Sequence, residues 1–156
     1  MKNTYRSGGV GAMMDEYERA SSDLALIVSG ISDEDFERER DSRTTDANCR
    51  SIKTIMNHVI GSGYSYADYI RQAFSVPSER PPASVLARTQ SLEGFKRMLE
   101  YTVRTLEGRW EYSDEQIGAV RINSRWGVQY DMEQMLEHAI VHILRHRRQI
   151  ERFLGR

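Results

Sequence analysis

The chain has 156 residues, of which 39% are hydrophobic and 29% charged, a composition typical of a soluble globular protein rather than a disordered one. Its length fits a single domain spanning residues 1–156. Its 22 basic and 23 acidic residues give a formal net charge of −1, which offers no attraction to nucleic acid or to an anionic membrane. No apolar run approaches the roughly 18 residues that a membrane-spanning helix needs.

The N-terminus and the cysteine content indicate where the protein works. Residues 1–11 contain no apolar segment of the kind that a secretory signal requires. Cys49 is the only cysteine, so it cannot form a disulfide within the chain. We therefore expect a soluble cytoplasmic protein.

Four segments carry apolar residues at the spacing of an amphipathic helix. The predicted helices cover residues 11–29, 51–74, 84–107 and 131–154. Ser51 is a favoured N-cap residue for the second helix, and all three prolines fall within residues 76–83, which marks that stretch as a connection. The predicted core positions of the third helix are Leu86, Leu92, Phe95, Leu99, Val103 and Leu106. Four long helices predict an all-α fold, arranged as a four-helix bundle.

Residues 110–130, between the third and fourth helices, show a different pattern. Apolar and polar side chains alternate around residues 120–122 and 126–130, and Asn123 and Gly127 are available for turns. We predict a short hairpin or an extended cap on the bundle.

Three further features carry weaker chemical signals. Gly8, Gly9 and Gly11 lie near the N-terminus without a preceding strand, so we predict a flexible lead-in rather than a phosphate-binding loop. Cys49 would need a nearby histidine to act as a nucleophile, and we interpret it as a buried or incidental thiol. The arginine-rich residues 145–152 include an acidic residue, which indicates a solvated face rather than a nucleic-acid patch.

Three of the four histidines follow at four-residue intervals in the fourth predicted helix, as His138, His142 and His146. Histidines at this spacing share a helix face with Cβ atoms about 5–6 Å apart, so two adjacent ones can bind one ion. All three cannot, because His138 and His146 are separated by about 12 Å of helix rise. On a helical wheel His146 falls within the apolar stripe and His142 on its edge, whereas His138 points toward the arginines. His142 and His146 are therefore the predicted pair.

A third ligand is expected from another helix, because two histidines alone make a weak site. The only remaining histidine, His58, lies on the flank of the apolar face of the second helix. Gly61 and Gly63 follow about one turn later, and small residues there would leave room for a ligand beside the ion. Spacing leaves a second interpretation open, in which the histidines are surface or packing residues whose buried rings need hydrogen-bond partners.

The segment Ser-Ile-Lys-Thr-Ile-Met-Asn-His, which ends at His58, occurs together with His-Ile-Leu-Arg-His-Arg-Arg-Gln-Ile, which begins at His142. This combination resembles the DinB/YfiT-like superfamily of metalloenzymes. The approach to the last helix through Trp126, Gly127 and Tyr130 is also similar to that family. The resemblance covers nearly the whole chain in the order of its elements.

The resemblance implies a four-helix bundle in which His58, His142 and His146 bind one divalent transition-metal ion, with zinc and nickel as the expected metals. Some members of the family also carry a histidine at the position of His138, so its presence assigns it no role. The family often has glycine where this chain has Arg148. Arg148 lies on the outward-facing side of the helix. We therefore expect this difference from the family to affect helix packing or a dimer contact rather than the ligands.

Three neutral imidazoles leave an open position on the ion, which is the arrangement of catalytic sites. The resemblance implies a metal-dependent hydrolase or an enzyme of thiol-dependent transfer that uses a low-molecular-weight thiol. No general base is evident, because Glu137 falls on the polar face of its helix, whereas Tyr66 and Tyr69 are candidates for a pocket wall. Two alternatives remain: a non-catalytic stress-response or interaction protein that the ion stabilises, and a helical scaffold without metal.

The expected partners follow from these interpretations. A small-molecule substrate or a thiol cofactor would bind at the ion, and neither nucleic acid nor membrane is expected. The resemblance also implies a homodimer, because bundles of this family often pair through a flat helical face.

Overall fold

A computed structural model describes residues 4–156 and confirms that the protein is all-α. The helices of these residues are α1 (Gly8–Ser29), α2 (Asp33–Glu37), α3 (Ile52–Ala73), α4 (Arg88–Leu106), α5 (Asp114–Ala119) and α6 (Met132–Phe153). A single 3-10 turn, Ala47–Cys49, precedes α3. Among the described residues no helix combines the length and the apolar composition that crossing a membrane requires.

Reciprocal caps fix the first turns of the two histidine-bearing helices. The Ser51 hydroxyl accepts a hydrogen bond from the Thr54 backbone N–H, and Thr54 Oγ1 accepts one from the Ser51 N–H at 3.0 Å. Asp131 and Gln134 exchange the same two bonds at the start of α6. Each pair satisfies N–H groups that a helix end leaves unpaired. The predicted N-cap at Ser51 is thus confirmed.

The four long helices pack around one core. Helix α1 packs against α4 and α6, and α3 also packs against α4 and α6. The largest fully buried side chains include Tyr17, Phe36, Phe95 and Tyr101. Because α3 and α6 are neighbours, inward-facing residues of one can contact those of the other.

The buried face of α4 differs from the predicted one. Phe95 and Leu106 are buried as expected, but Leu92, Leu99 and Val103 are only partly buried at the edge of the core. The centre of the face is formed instead by Ser91, Met98, Tyr101, Thr102 and Thr105. The threonines are tolerated there because each hydroxyl donates to a backbone carbonyl of the preceding turn.

The prediction of a flexible glycine-rich lead-in is wrong, because Gly8, Gly9 and Gly11 lie in the first turn of α1. Gly8 has a φ of +71°, and a Cβ there would collide with the backbone carbonyl of Trp110. Glycine is required at this position because the start of α1 approaches another backbone segment closely.

The predicted hairpin between the third and fourth long helices is confirmed. Strands β1 (Ile122–Asn123) and β2 (Gln129–Tyr130) pair antiparallel, with Ile122 opposite Tyr130. The turn between them carries Trp126 and has Gly127 at a φ of +81°. The hairpin leads directly into α6 and holds the Trp126 side chain against His138 of that helix.

Candidate metal centre

Three histidines from two helices converge at the contact between α3 and α6. His58 comes from α3, and His142 and His146 come from α6. One ligand nitrogen of each lies within 4.8 Å of the others, and Nε2 of His58 is 3.0 Å from Nε2 of His142. The ring centroids are separated by 4.5 to 5.1 Å. The structure therefore brings together the three histidines that the sequence singles out.

The helical wheel predicted the orientation of the α6 histidines correctly. His142 and His146 are only 8% and 5% exposed, and they share the inward face with Met135, Ala139 and other apolar residues. His138 is half-buried at the margin of that face. Its ring stacks on Trp126, with centroids 5.4 Å apart, and is not part of the cluster.

Gln149 orients His146. Its side-chain oxygen lies 3.0 Å from Nδ1 of His146, one turn further along α6. Because an amide oxygen only accepts hydrogen bonds, Nδ1 of His146 carries the proton and Nε2 is left unprotonated. A hydrogen bond to the second ring nitrogen is the usual device that fixes the tautomer and the orientation of a metal-binding histidine.

The arrangement fits a divalent metal ion. Two nitrogen ligands at about 2.0–2.1 Å from a tetrahedral ion lie roughly 3.3 Å from each other. The 3.0 Å separation of the His58 and His142 nitrogens is close to this spacing. Within residues 4–156, these three side chains form the one group of metal-binding residue types with such convergence. The cluster could therefore hold a metal ion.

The environment keeps all three imidazoles neutral at neutral pH. Burial lowers the pKa of His142 to about 3, and the neighbouring rings of His146 and His58 act in the same direction. Burial also lowers the pKa of His58, against the opposing charge of Asp46, and that of His146, against its hydrogen bond to Gln149. A neutral imidazole is the form that binds a metal, so protons compete weakly for this site.

A cleft of about 540 Å³ opens beside the cluster, and His58 forms part of its wall. The aromatic side of the cleft consists of Tyr66, Trp126 and His138. Tyr66 packs edge-on against both His138 and His142, at 5.2 and 5.6 Å between centroids. The cleft thus connects solvent with the cluster at His58. Of the two tyrosines predicted as pocket wall, Tyr66 lines the cleft.

Tyr69 lies behind the wall rather than on it. Its hydroxyl accepts a hydrogen bond from the Arg125 backbone N–H at 3.1 Å, and its ring packs edge-on against Trp126. It supports the hairpin that carries the aromatic side chain.

The lining of the cleft also includes polar and basic side chains. Arg80 and Arg125 both line it, together with Ser62 and Ser65. Arg80 Nη1 donates to the Ser65 hydroxyl at 3.1 Å and lies 3.8 Å from the Asp68 carboxylate. The two arginines carry no common signal in the sequence, because they come from loops far apart in the chain.

The two glycines predicted to leave room for a ligand have different roles. Gly61 lines the cleft, and a Cβ there would meet no atom within 4 Å. Gly63 faces α4, where a Cβ would collide with the buried Met98 side chain. The prediction is therefore wrong for Gly63, which serves close helix packing.

These observations define a class: a helical protein that presents three histidines from two packed helices beside an open cleft. The sequence model of the DinB family matches residues 1–154, so the chain belongs to the DinB family. This membership confirms the resemblance noted around His58 and His142. A comparison with curated proteins gave no match.

Proposed function

We propose that the protein is a metal-dependent enzyme of the DinB four-helix-bundle type that acts on a small molecule by hydrolysis or by thiol-dependent transfer. His58, His142 and His146 would hold one divalent ion, with zinc or nickel as the best candidates. The observation that carries the proposal is the convergence of three neutral imidazoles, within 4.8 Å, beside a cleft of about 540 Å³.

The donor set favours a catalytic rather than a closed structural site. Three protein ligands leave a coordination position for water or substrate, whereas structural zinc sites usually have four protein ligands. A bound ion of this kind supplies Lewis acidity, an activated water or a stabilised thiolate. Imidazole ligands accept zinc, nickel, copper and iron, so the donor set alone leaves several metals in question.

The residues around the cluster would orient both the histidines and the ligand. Gln149 holds the proton of His146 on Nδ1, which would leave Nε2 as the nitrogen that binds the ion. Tyr66 packs against His142 and limits the rotation of its ring. The flat wall of Trp126 and His138 would contact the apolar part of a small molecule.

The charge of the cleft favours a ligand with an anionic group. Arg80 and Arg125 line it, and its lining within residues 4–156 contains no carboxylate. A guanidinium binds a carboxylate or a phosphate through two parallel hydrogen bonds. We therefore propose that the substrate or its thiol carrier bears such a group and binds it on the basic side of the cleft.

One observation supports the alternative of a non-catalytic protein that is stabilised by its metal. The same lack of a carboxylate in the cleft lining within residues 4–156 leaves no acidic general base facing the cleft, because Asp46, whose charge acts on His58 and His146, is not part of that lining. In that case the ion would link α3 to α6, and no ligand in the cleft would bind to the ion.

Cobalt reconstitution distinguishes the two functions. We expect metal-free protein to bind Co²⁺ with visible absorption, and we expect a small thiol to shift that absorption and add a thiolate charge-transfer band. The His138→Ala variant is the matched control for cobalt binding itself, and its metal-free form should take up Co²⁺ with the same absorption before any thiol is added, because His138 is not part of the cluster. Bound cobalt whose spectrum does not respond to thiol, azide or hydroxamate would favour the non-catalytic alternative, and failure to bind cobalt would contradict both.

A further inference from the structure

A second, smaller cavity lies between α3, α4 and the loop that joins these two helices. Its volume is about 140 Å³, and none of the three clustered histidines lines it. Its lining includes Ile60, Gly61, Tyr64, Pro82, Leu86 and Arg97. We refer to it as the α3–α4 cavity. It adjoins the cleft beside the histidines, because Gly61 and Arg80 line both.

The loop over this cavity is attached to both helices. The Asn57 side chain of α3 pairs with the backbone of Leu86, accepting from its N–H at 3.0 Å and donating to its carbonyl at 3.5 Å. From α4, the Tyr101 hydroxyl accepts a hydrogen bond from the Glu79 N–H at 3.1 Å. The two consecutive prolines of the loop lie between these attachments and restrict its backbone. The cavity is therefore a fixed part of the fold.

Glycines on both helices contribute to the space. Gly61 lies in the interior of α3, where glycine lowers helix stability relative to alanine. A Cβ there would meet no atom within 4 Å, so close packing does not explain this glycine. Gly94 of α4 lets the loop approach, since a Cβ there would lie 2.8 Å from Leu86 Cδ1 and 3.6 Å from Ile60 Cδ1. Leu86 and Ile60 therefore meet over Gly94 and form an apolar part of the lining.

Tyr64 is a buried tyrosine whose hydroxyl is not satisfied by the protein. The residue is only 6% exposed, and its ring packs against Tyr101. Among residues 4–156 its hydroxyl has no hydrogen-bond partner, whereas buried tyrosine hydroxyls usually have one. Burial raises the pKa of Tyr64, and the charge of Arg97 acts in the opposite direction. The guanidinium of Arg97 is therefore close enough to act on the same group.

The charged groups that line the α3–α4 cavity are positive. Arg80 and Arg97 line it, and no carboxylate of the described part of the chain does. Arg80 is already engaged, since it lies 3.8 Å from the Asp68 carboxylate. Arg97 contacts Glu93 at 3.4 Å, but both side chains are more than half exposed, so this ion pair is weak. Arg97 and the Tyr64 hydroxyl are therefore the donors available to a ligand.

The volume and the donors define the chemistry of that ligand. A cavity of about 140 Å³ is close to the roughly 150 Å³ of an engineered apolar cavity that binds benzene, so an apolar body the size of one six-membered ring fits. A guanidinium and a phenol hydroxyl both donate hydrogen bonds, and together they match a single carboxylate. A neighbouring hollow shares Tyr64 and Arg97, but Glu79 and Glu100 line it and would repel an anion.

We propose that the α3–α4 cavity binds a small carboxylic acid whose apolar body is about the size of one ring. The carboxylate accepts hydrogen bonds from Arg97 and from the Tyr64 hydroxyl, and the apolar body lies against Ile60, Pro82 and Leu86. This is a second ligand site, beside the cleft and separate from the histidines. It requires no metal ion, so it stands independently of the proposed function.

Binding of benzoate to metal-free protein tests the proposal. In isothermal titration calorimetry, benzoate should bind, and benzamide, its neutral isostere, should bind about tenfold more weakly or worse. Arg97→Gln and Tyr64→Phe should each weaken benzoate binding by about tenfold or more, because each removes a donor to a charged group. Lys96→Gln is the matched control, since it removes the same charge from the adjacent exposed position of α4, and it should leave the affinity unchanged.

The location of bound benzoate is a separate readout. The backbone amide NMR signals of Ala83, Ser84 and Leu86 should shift on binding, because these residues line the cavity. Arg125→Gln should not change the affinity, since Arg125 lines the cleft but not the α3–α4 cavity. A loss of affinity in Arg125→Gln, without these shifts, would place benzoate in the cleft and overturn the proposal.

Three further results would overturn it. The first is the absence of binding by both benzoate and cyclohexanecarboxylate at millimolar concentration. The second is equal affinity for benzoate and benzamide. The third is inorganic phosphate that competes as well as benzoate, which would show that the apolar body makes no contribution. Tyr64→Phe keeps the ring that packs against Tyr101, and helical circular dichroism shows whether each variant has folded.

Discussion

Replacing His146 with alanine is expected to lower the affinity for zinc or nickel by roughly 100-fold or more, whereas His138→Ala should change it by less than about threefold. Loss of an outer partner of a metal ligand already costs about 10–100-fold, and loss of a ligand should cost at least as much. His138 stacks on Trp126 outside the cluster, so its removal leaves all three ligand nitrogens in place. Competition titration with a chromogenic chelator measures both affinities.

His58→Ala provides the third arm of the same experiment. His58 is half-buried at the flank of α3, so its loss should weaken metal binding while the helical circular dichroism stays close to that of wild type. Equal losses of affinity in His146→Ala and His138→Ala would show that the wrong pair has been assigned. Unchanged affinity in His58→Ala would exclude it as the third ligand.

The free energy of unfolding of the metal-free protein is expected to fall steeply in mild acid. The pKa of His142 is lowered from 6.5 to about 3 in the folded protein, so between these values the unfolded chain binds more protons. The free energy of unfolding therefore falls as the pH decreases from 6.5 to about 3. Above pH 6.5 it does not depend on the protonation of His142. The slope from His142 alone is about 1.4 kcal/mol per pH unit.

Urea unfolding between pH 7 and pH 4, with chelator present, measures this slope. Carboxylates also titrate in this range, so the comparison is made with His142→Gln, in which the contribution of this imidazole is absent. The variant should show a visibly shallower loss of stability than wild type. Parallel curves for the two proteins would contradict the burial of a neutral His142.

The two helices that carry the histidines could be predicted well from the sequence. The apolar face of α6 is uninterrupted by other inward polar residues, so a period of 3.6 was sufficient to place His142 and His146 inward and His138 at the margin. The N-cap residue Ser51 set the start of α3 and hence the position of His58 on its flank. Local rules were adequate here because they agree with the tertiary packing.

Other parts could not be predicted because tertiary contacts decide them. In α4, Thr102 and Thr105 look like polar-face residues, but their hydroxyls are satisfied within the helix and the side chains are buried. Helices α2 and α5, of five and six residues, are too short to show a period. Gly63 looked like space for a ligand, yet α4 occupies that space.

The candidate site was only partly visible in the sequence. Gln149 stands three residues after His146, a spacing that places both on one helix face, and this signal could have identified it as the partner of the His146 ring. The cleft wall had no comparable signal. Arg80 and Arg125 lie in loops on either side of α4 and α5 and come together only in the folded chain.

The central claim is that His58, His142 and His146 together hold one metal ion, and metal content tests it most directly. Elemental mass spectrometry should find about one zinc or nickel ion per chain in untagged wild-type protein. The His142→Ala/His146→Ala double variant, compared at the same concentration, should contain almost none. A wild-type protein that holds no metal even after incubation with zinc and nickel, or a double variant that holds as much as wild type, would contradict the account.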